Sequence, residues 1–442
     1  MEILELCATK LQREKPDKFE IFWDKSTSLS VEIKDGKLDH LSRATDQGLA
    51  IRVLKNQRIG FSYTFDLSQE AIDRAVRTAL EICELMPADP LNDLPTFSAT
   101  YPRIESYDTA GIETSLDDKI ELARSIESRT KKIDPRITRI RSSGLDESYG
   151  ETIMVDASGH KISHRASFFA AHISCVAEEG GDAEIGSDGQ YATTLKELSP
   201  EAIAHYASRG ALELLHGGTA PTMTCPALLK NSVVAQLLGF LSSSFSAENI
   251  DKNFSLLVGK KGEKVFSDAL TLIDDGLLAR GVASSPFDGE GTPSQTNTLV
   301  DRGTIKSFLY DIYYARKHGA KSTANSRRGG IKSQPGIGTT NFYMPPGTKT
   351  FDQLVSSISR GVYITNVMGL HTANPVTGEF SIGASGVLIE NGALTKPVKG
   401  FAIAGNLINL LKDVSATGSD LRFWGGVGAT SMMVEKLSIS GK

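Results

Sequence analysis

Cysteine is scarce in this chain and scattered. Cys7, Cys83, Cys175 and Cys225 are the whole complement, with no CxxC pair, so neither a zinc knuckle nor a disulfide framework is indicated and the four read as reduced, buried thiols. No apolar run is long enough to span a bilayer. The opening MEILELCATKLQREKPDKFE mixes acids and bases where a signal peptide needs a basic segment and an apolar core, and the expectation is a soluble, cytoplasmic protein with no membrane partner. An excess of one charge is also missing: 48 Lys+Arg stand against 53 Asp+Glu, net −5, with no long block of either sign. That leaves no electrostatic footprint for nucleic acid, and direct nucleic-acid binding is not expected. Repeats of solenoid length and low-complexity tracts are absent as well.

What is present is a chain of 442 residues, 40% hydrophobic, too long for one ordinary core. The pattern divides it into an α+β domain over residues 1–220, antiparallel strands with helices, and a mainly antiparallel β domain over 221–442. Residues 2–13 form an amphipathic helix, with Ile3, Leu4, Cys7, Ala8 and Leu11 on one face. A meander of alternating strands follows, turning at Asp35-Gly36, and a helix over 68–86 stops at Pro87. The Pro-rich segment 87–107 reads as an extended connection. A second helix over 115–132 precedes strands at 137–143, 148–155 and 161–178, and a third helix over 199–215 starts at Pro200 and ends at Gly217-Gly218. In the second half a strand at 225–229 and helical character over 231–245 lead into short strands split by turns, with one helix near 351–360.

Residues 361–392 read GVYITNVMGLHTANPVTGEFSIGASGVLIENG, and this stretch is taken as the organising centre. Two β-branched runs flank a loop of Gly, Ser, Thr, Asn and one Pro, and Asn391-Gly392 supplies a hairpin turn. Glycines at 369, 378, 383 and 386 imply positive φ or the close approach of another backbone, which suits an extended peptide lying against a sheet. A tightly turned β-domain without a ligand accounts for the same glycines.

The chemistry-bearing residues give few constellations. None of the eight histidines forms HExxH or HExxxH. His160 and His164 fall on a strand, about 13 Å apart by its rise, too far to share an ion, and are read as surface residues. Gly383-Ala384-Ser385-Gly386 is one residue short of a nucleophile elbow and is followed by a strand instead of a helix. His371 and Glu379 stand in the Gly-rich loop, where they could shuttle protons or orient a peptide, or serve as solvated turn residues. Gly259-Lys260-Lys261-Gly262 and Gly425-Gly426-Val427-Gly428 do not meet phosphate-loop patterns. Asp274, Asp275, Asp288 and Glu290 sit beside glycines, where local turn bonding is the preferred reading over a cation site.

Several stretches together resemble the TldD/PmbA family, historically labelled modulators of DNA gyrase: TLIDDG (271–276), GVASSPFDGEGTPSQTNTLVDRG (281–303), YYARKHGAKSTAN (313–325), GTTNFYMPPG (338–347), residues 361–392, and FAIAGNLINLL (401–411). The resemblance covers most of residues 265–411. It implies a two-domain α+β architecture and a part in cytoplasmic proteolysis of small or unfolded peptides, including maturation of modified peptides. In the TldD branch of that family an HExxxH helix and a later cysteine hold zinc. Placed in register through TLIDDG, the motif position falls within 237–244, read here as LLGFLSSS, and no cysteine follows Cys225. The chain therefore resembles the TldE/PmbA branch, without the zinc motif.

The resemblance implies no metal and no catalytic residue in this chain, with zinc expected in a TldD-type partner. The expected role is that of the non-metal subunit of a TldD–TldE metallopeptidase, holding an unstructured peptide as an extended strand. His371, Asn374, Gly378, Glu379, Phe380, Ser381 and Ala384 are the candidate peptide-binding residues. The alternative is a homodimeric peptide-binding or regulatory protein without catalysis. A third reading is an independent peptidase with ligands drawn from Asp288, Glu290 or His371.

Overall fold

The computed structural model describes residues 2–441. Its N-terminal half is built on one antiparallel sheet of six strands: β1 (Lys18–Lys34), β2 (Lys37–Lys55), β3 (Arg58–Thr64), β4 (Ile137–Asp156), β5 (Lys161–Glu179) and β6 (Asp182–Ala192). Their order is β3-β2-β1-β4-β5-β6. β4 runs unbroken through positions that the sequence pattern splits into two strands, and β1 is likewise continuous. Polar residues such as Lys25, Ser26 and Ser28 stay in the ladder because both neighbours pair with them, as Ser26 does with Asp46 and Gly150. β6 has no clear signature, since DAEIGSDGQYA carries two glycines and little alternation.

Strands this long serve two cores. At one end α1 (Glu2–Arg13) and α2 (Gln69–Leu85) cover Ile21, Ile51 and Val155 with Leu4, Leu11, Ile72 and Val76. At the other, α3 (Leu116–Ile133) and α4 (Pro200–Leu212) cover Val31, Leu145 and Ile173 with Ile126, Ile203 and Ala207. Ser68, Ser115 and Ser199 cap α2, α3 and α4, each hydroxyl accepting from the backbone N–H three residues on. The short helix Thr109–Glu113 lies before α3. No regular element occurs between Leu85 and Thr109. That connection ties the halves together: Phe97 N–H donates to Asp156 at 2.9 Å, and the Tyr101 hydroxyl donates to the Gly291 carbonyl at 2.8 Å.

The C-terminal half contains a closed barrel of β7 (Met223–Leu229), β8 (Arg360–Met368), β9 (Glu379–Glu390), β10 (Ala393–Asn406) and β11 (Met432–Ser440). β7 and β8 are parallel, the other neighbours are antiparallel, and pairing of β11 with both β10 and β7 shuts the ring. α5 (Asn231–Ser242) packs against it, and Val233, Val234, Leu237 and Leu241 share a core with Ile364, Phe401 and Leu437. A second sheet of six short strands includes Leu272–Asp275 and Phe342–Tyr343. The helix Phe351–Ser356 is closed by a Thr350/Gln353 capping box. Among the described residues no helix is long and apolar enough to cross a membrane.

Candidate functional site

The residues singled out between 371 and 384 divide by side. Gly378, Phe380 and Ala384 are buried, and Phe380 and Ala384 belong to the barrel core. The alternation of β9 explains this, since Phe380, Ile382 and Ala384 share its inner face. His371, Asn374, Glu379 and Ser381 are exposed. Asn374 closes its own loop, its side-chain oxygen accepting from Val376 and Thr377 N–H at 2.9 and 3.1 Å. The backbone edge that an added strand would need is not on β9, because β8 and β10 pair with it on both sides. Gly369 and Gly378 have φ of 89° and 77°. Ser385 lies in the middle of β9, buried, with no helix following it.

α5 and the 3-10 turn Ser243–Phe245 that follows it carry the stretch 237–244. Leu237, Leu238 and Leu241 are packed in the core, and the Ser242 and Ser243 hydroxyls donate back to the Gly239 and Phe240 carbonyls. Zinc takes His nitrogen, Cys sulfur or carboxylate oxygen, so these residues do not fit it. Among the described residues no group of three or more His, Cys, Asp or Glu side chains is arranged to hold a metal ion.

A buried polar constellation lies on the seam between the halves, and sequence reasoning missed most of it. Glu20 of β1 and Arg52 of β2 face each other across the ladder. Arg52 reaches Glu20 at 2.6 Å and Glu290 at 3.2 Å, and Arg328 also pairs with Glu20. Arg328 further donates from Nε to the Gly289 carbonyl at 2.7 Å and lies over the Phe22 ring, 4.5 Å from its centre. Glu290 accepts from Ile312 N–H at 3.0 Å. It is therefore a bridge between domains as well as a turn residue. Burial opposes the Glu20 carboxylate, yet Arg328 and Arg52 outweigh that and hold its pKa below the usual range. Burial brings Arg328 down to about 10.

Asp288 occupies the adjoining turn, accepting from the backbone N–H of Glu290, Thr292 and Ser326 at 2.9, 2.9 and 3.1 Å. Burial, reinforced by the charge of Glu290, pushes its pKa up to about 7. Beside it a groove of about 390 Å³ opens between the sheet face, with Phe22, Asp24 and His164, and the loops that carry Ser285, Asp288 and Arg328. His164 is half-buried here, contrary to its reading as a surface residue. Burial lowers its pKa to about 4, and its Nε2 lies 3.2 Å from the Ser106 hydroxyl. Asp24 accepts from the Thr152 hydroxyl at 2.7 Å, and burial raises its pKa. An acid that is about half protonated near pH 7, an unprotonated imidazole and a paired guanidinium can orient donors and acceptors of a bound chain. In the sequence Asp288 and Glu290 stood out only as turn residues and His164 only as a surface residue, because a partner 238 positions away leaves no local trace.

Residues 19–83, 111–215 and 222–441 match, in turn, the PmbA/TldA metallopeptidase domain 1, central domain and C-terminal domain. The chain is 28% identical over 441 residues to metalloprotease PmbA of Escherichia coli, covering 98% of this chain and 95% of that one. It is 27% identical over 425 residues to the metalloprotease TldD homolog of Haemophilus influenzae, covering 93% and 87%. A crystal structure described as a putative modulator of a DNA gyrase from Thermotoga maritima superposes with a TM-score of 0.92 at 27% identity, covering 99% of each chain.

Proposed function

The chain belongs to the PmbA/TldA metallopeptidase family, and from that premise we propose that it is the TldE/PmbA-type subunit of a two-chain zinc metallopeptidase whose metal resides in a TldD-type partner. The observation that carries this reading is α5. At the position where the TldD branch is expected to present HExxxH, this chain presents buried leucines and self-bonded serines, side chains without the donors that hydrolytic zinc requires. Full-length similarity both to a PmbA and to a TldD homolog supports two related chains working together.

In this reading the substrate is a small, unfolded peptide. The seam groove beside Asp288 and His164, and the exposed His371, Asn374, Glu379 and Ser381, contribute surface to the chamber that holds it. The subunit binds and orients, and the hydrolytic step belongs to the partner. The test is elemental analysis and cleavage of an unstructured peptide by this chain, by a TldD-type chain, and by their mixture. Zinc and hydrolysis confined to a stable mixed complex are expected. Undiminished cleavage by the partner alone, or stoichiometric zinc with chelator-sensitive cleavage by this chain alone, would overturn the assignment.

A further inference from the structure

A second cavity, of about 370 Å³, lies on the seam away from the Asp288 groove, between the C-terminal end of α4 and the start of α5. Its apolar walls are Tyr206, Phe351 and Leu421. Most of its polar groups are already engaged: Asp420 accepts from Asn231 and Ser431, and Arg422 donates to Asp188 at 2.6 Å. Three others are engaged less fully.

Tyr363 of β8 is 5% exposed, lines the cavity, and its hydroxyl has no hydrogen-bond partner among the described residues. Lys230, also in the lining, has no ion pair there either, and as the N-cap residue of α5 it gives the helix no side-chain cap. Glu213 has Arg209 3.5 Å from one carboxylate oxygen, while the other is buried without a partner. Buried polar atoms are nearly always satisfied in folded proteins, so the second Glu213 oxygen and the buried Tyr363 side chain, with half-buried Lys230 beside them, point to a ligand in this cavity. The ammonium, the phenol and the positive end of α5 all favour an anionic acceptor. The free Glu213 oxygen calls for a donor beside it.

We propose that this cavity binds the C-terminal residue of a peptide, its carboxylate held by Lys230 and Tyr363, its main-chain N–H by Glu213, and its side chain between Tyr206 and Phe351. A C-terminal residue carries an acceptor pair and a donor within one residue, which a free anion does not. The inference deepens the peptidase-subunit reading and rests on it for the nature of the ligand.

The test is fluorescence anisotropy of the full chain with a short, N-terminally labelled unstructured peptide, as the free acid and as the C-terminal amide, with acetate and inorganic phosphate as competitors. Amidation and Lys230→Met should each weaken binding about tenfold, the scale of one charge-assisted hydrogen bond. Tyr363→Phe should weaken it several-fold while leaving the unfolding midpoint unchanged or higher, since it deletes a buried hydroxyl that has no partner. Equal binding of acid and amide, no binding of either, wild-type affinity in both variants, or displacement by phosphate or acetate at concentrations matching the peptide would overturn the proposal. Cleavage by the mixed complex is followed in parallel. Hydrolysis without carboxylate selectivity defeats this proposal and leaves the subunit assignment standing; selectivity without hydrolysis does the reverse.

Discussion

Arg52 and Glu290, 238 positions apart, meet at 3.2 Å with both side chains almost fully buried. One belongs to the N-terminal sheet and the other to a C-terminal turn, so the contact fixes how the halves sit together. Glu20 and Arg328 extend it to a four-member alternation of charge. Two acids and two bases offset one another, although burial still outweighs the ion pairing at Arg328, one Nη of which is buried without a partner.

Removing one member should therefore be far worse than its own lost contact. Arg52→Leu leaves Glu20 without one partner and Glu290 without its ion pair, in a site closed to water. The expected loss is about 3–5 kcal/mol, read as a shift in the denaturant midpoint. A midpoint within error of the parent protein would show that the seam charges do not couple the halves.

Asp288 makes stability depend on pH in the direction opposite to an ion-paired carboxylate. Its pKa is about 7 when folded against a reference of 3.8, so between those values the native state holds a proton that the unfolded chain has released. Stability is then highest at the acid end of the window and falls as pH rises toward 7, flattening above it. Asp288→Asn should remove that slope. Urea midpoints at several pH values from 4 to 8, with and without the substitution, decide the matter, and identical slopes would refute it.

His164 acts with the other sign. Folding lowers its pKa from 6.5 to about 4, so the unfolded chain binds the proton more readily. Its contribution is present above pH 6.5 and is lost as pH falls toward 4. The imidazole carbon resonances should titrate with a midpoint near 4, and a midpoint near 6.5 would mean that the groove is wetter than the packing of Phe287 on the ring implies.

Gly386 is irreplaceable for a reason of space. A Cβ there would lie 2.0 Å from the Tyr363 carbonyl oxygen, inside the β8–β9 ladder. Gly386→Ala must push two barrel strands apart, at about 1–3 kcal/mol, the scale of overpacking a close-fitted interior. Thermal unfolding would show it, and an unchanged midpoint would mean that the ladder yields freely.

The sequence alone determined what depends on neighbours along the chain. Local pattern placed α2 and α3 to within a residue or two, the Asp35-Gly36 and Asn391-Gly392 turns fell where they were read, and the blocks around TLIDDG were enough to reveal the family. Each signal is local, set by backbone orbit and side-chain spacing over a few residues. Tertiary structure decided the rest. It joined strand pieces across polar stretches because two flanking strands supplied their hydrogen bonds, and it turned Phe380 and Ala384 inward by closing a sheet into a barrel. It also gave Asp288, His164 and Tyr363 their chemistry, since a pKa or an unmet hydroxyl depends on which distant groups exclude water around it, and no residue type carries that information by itself.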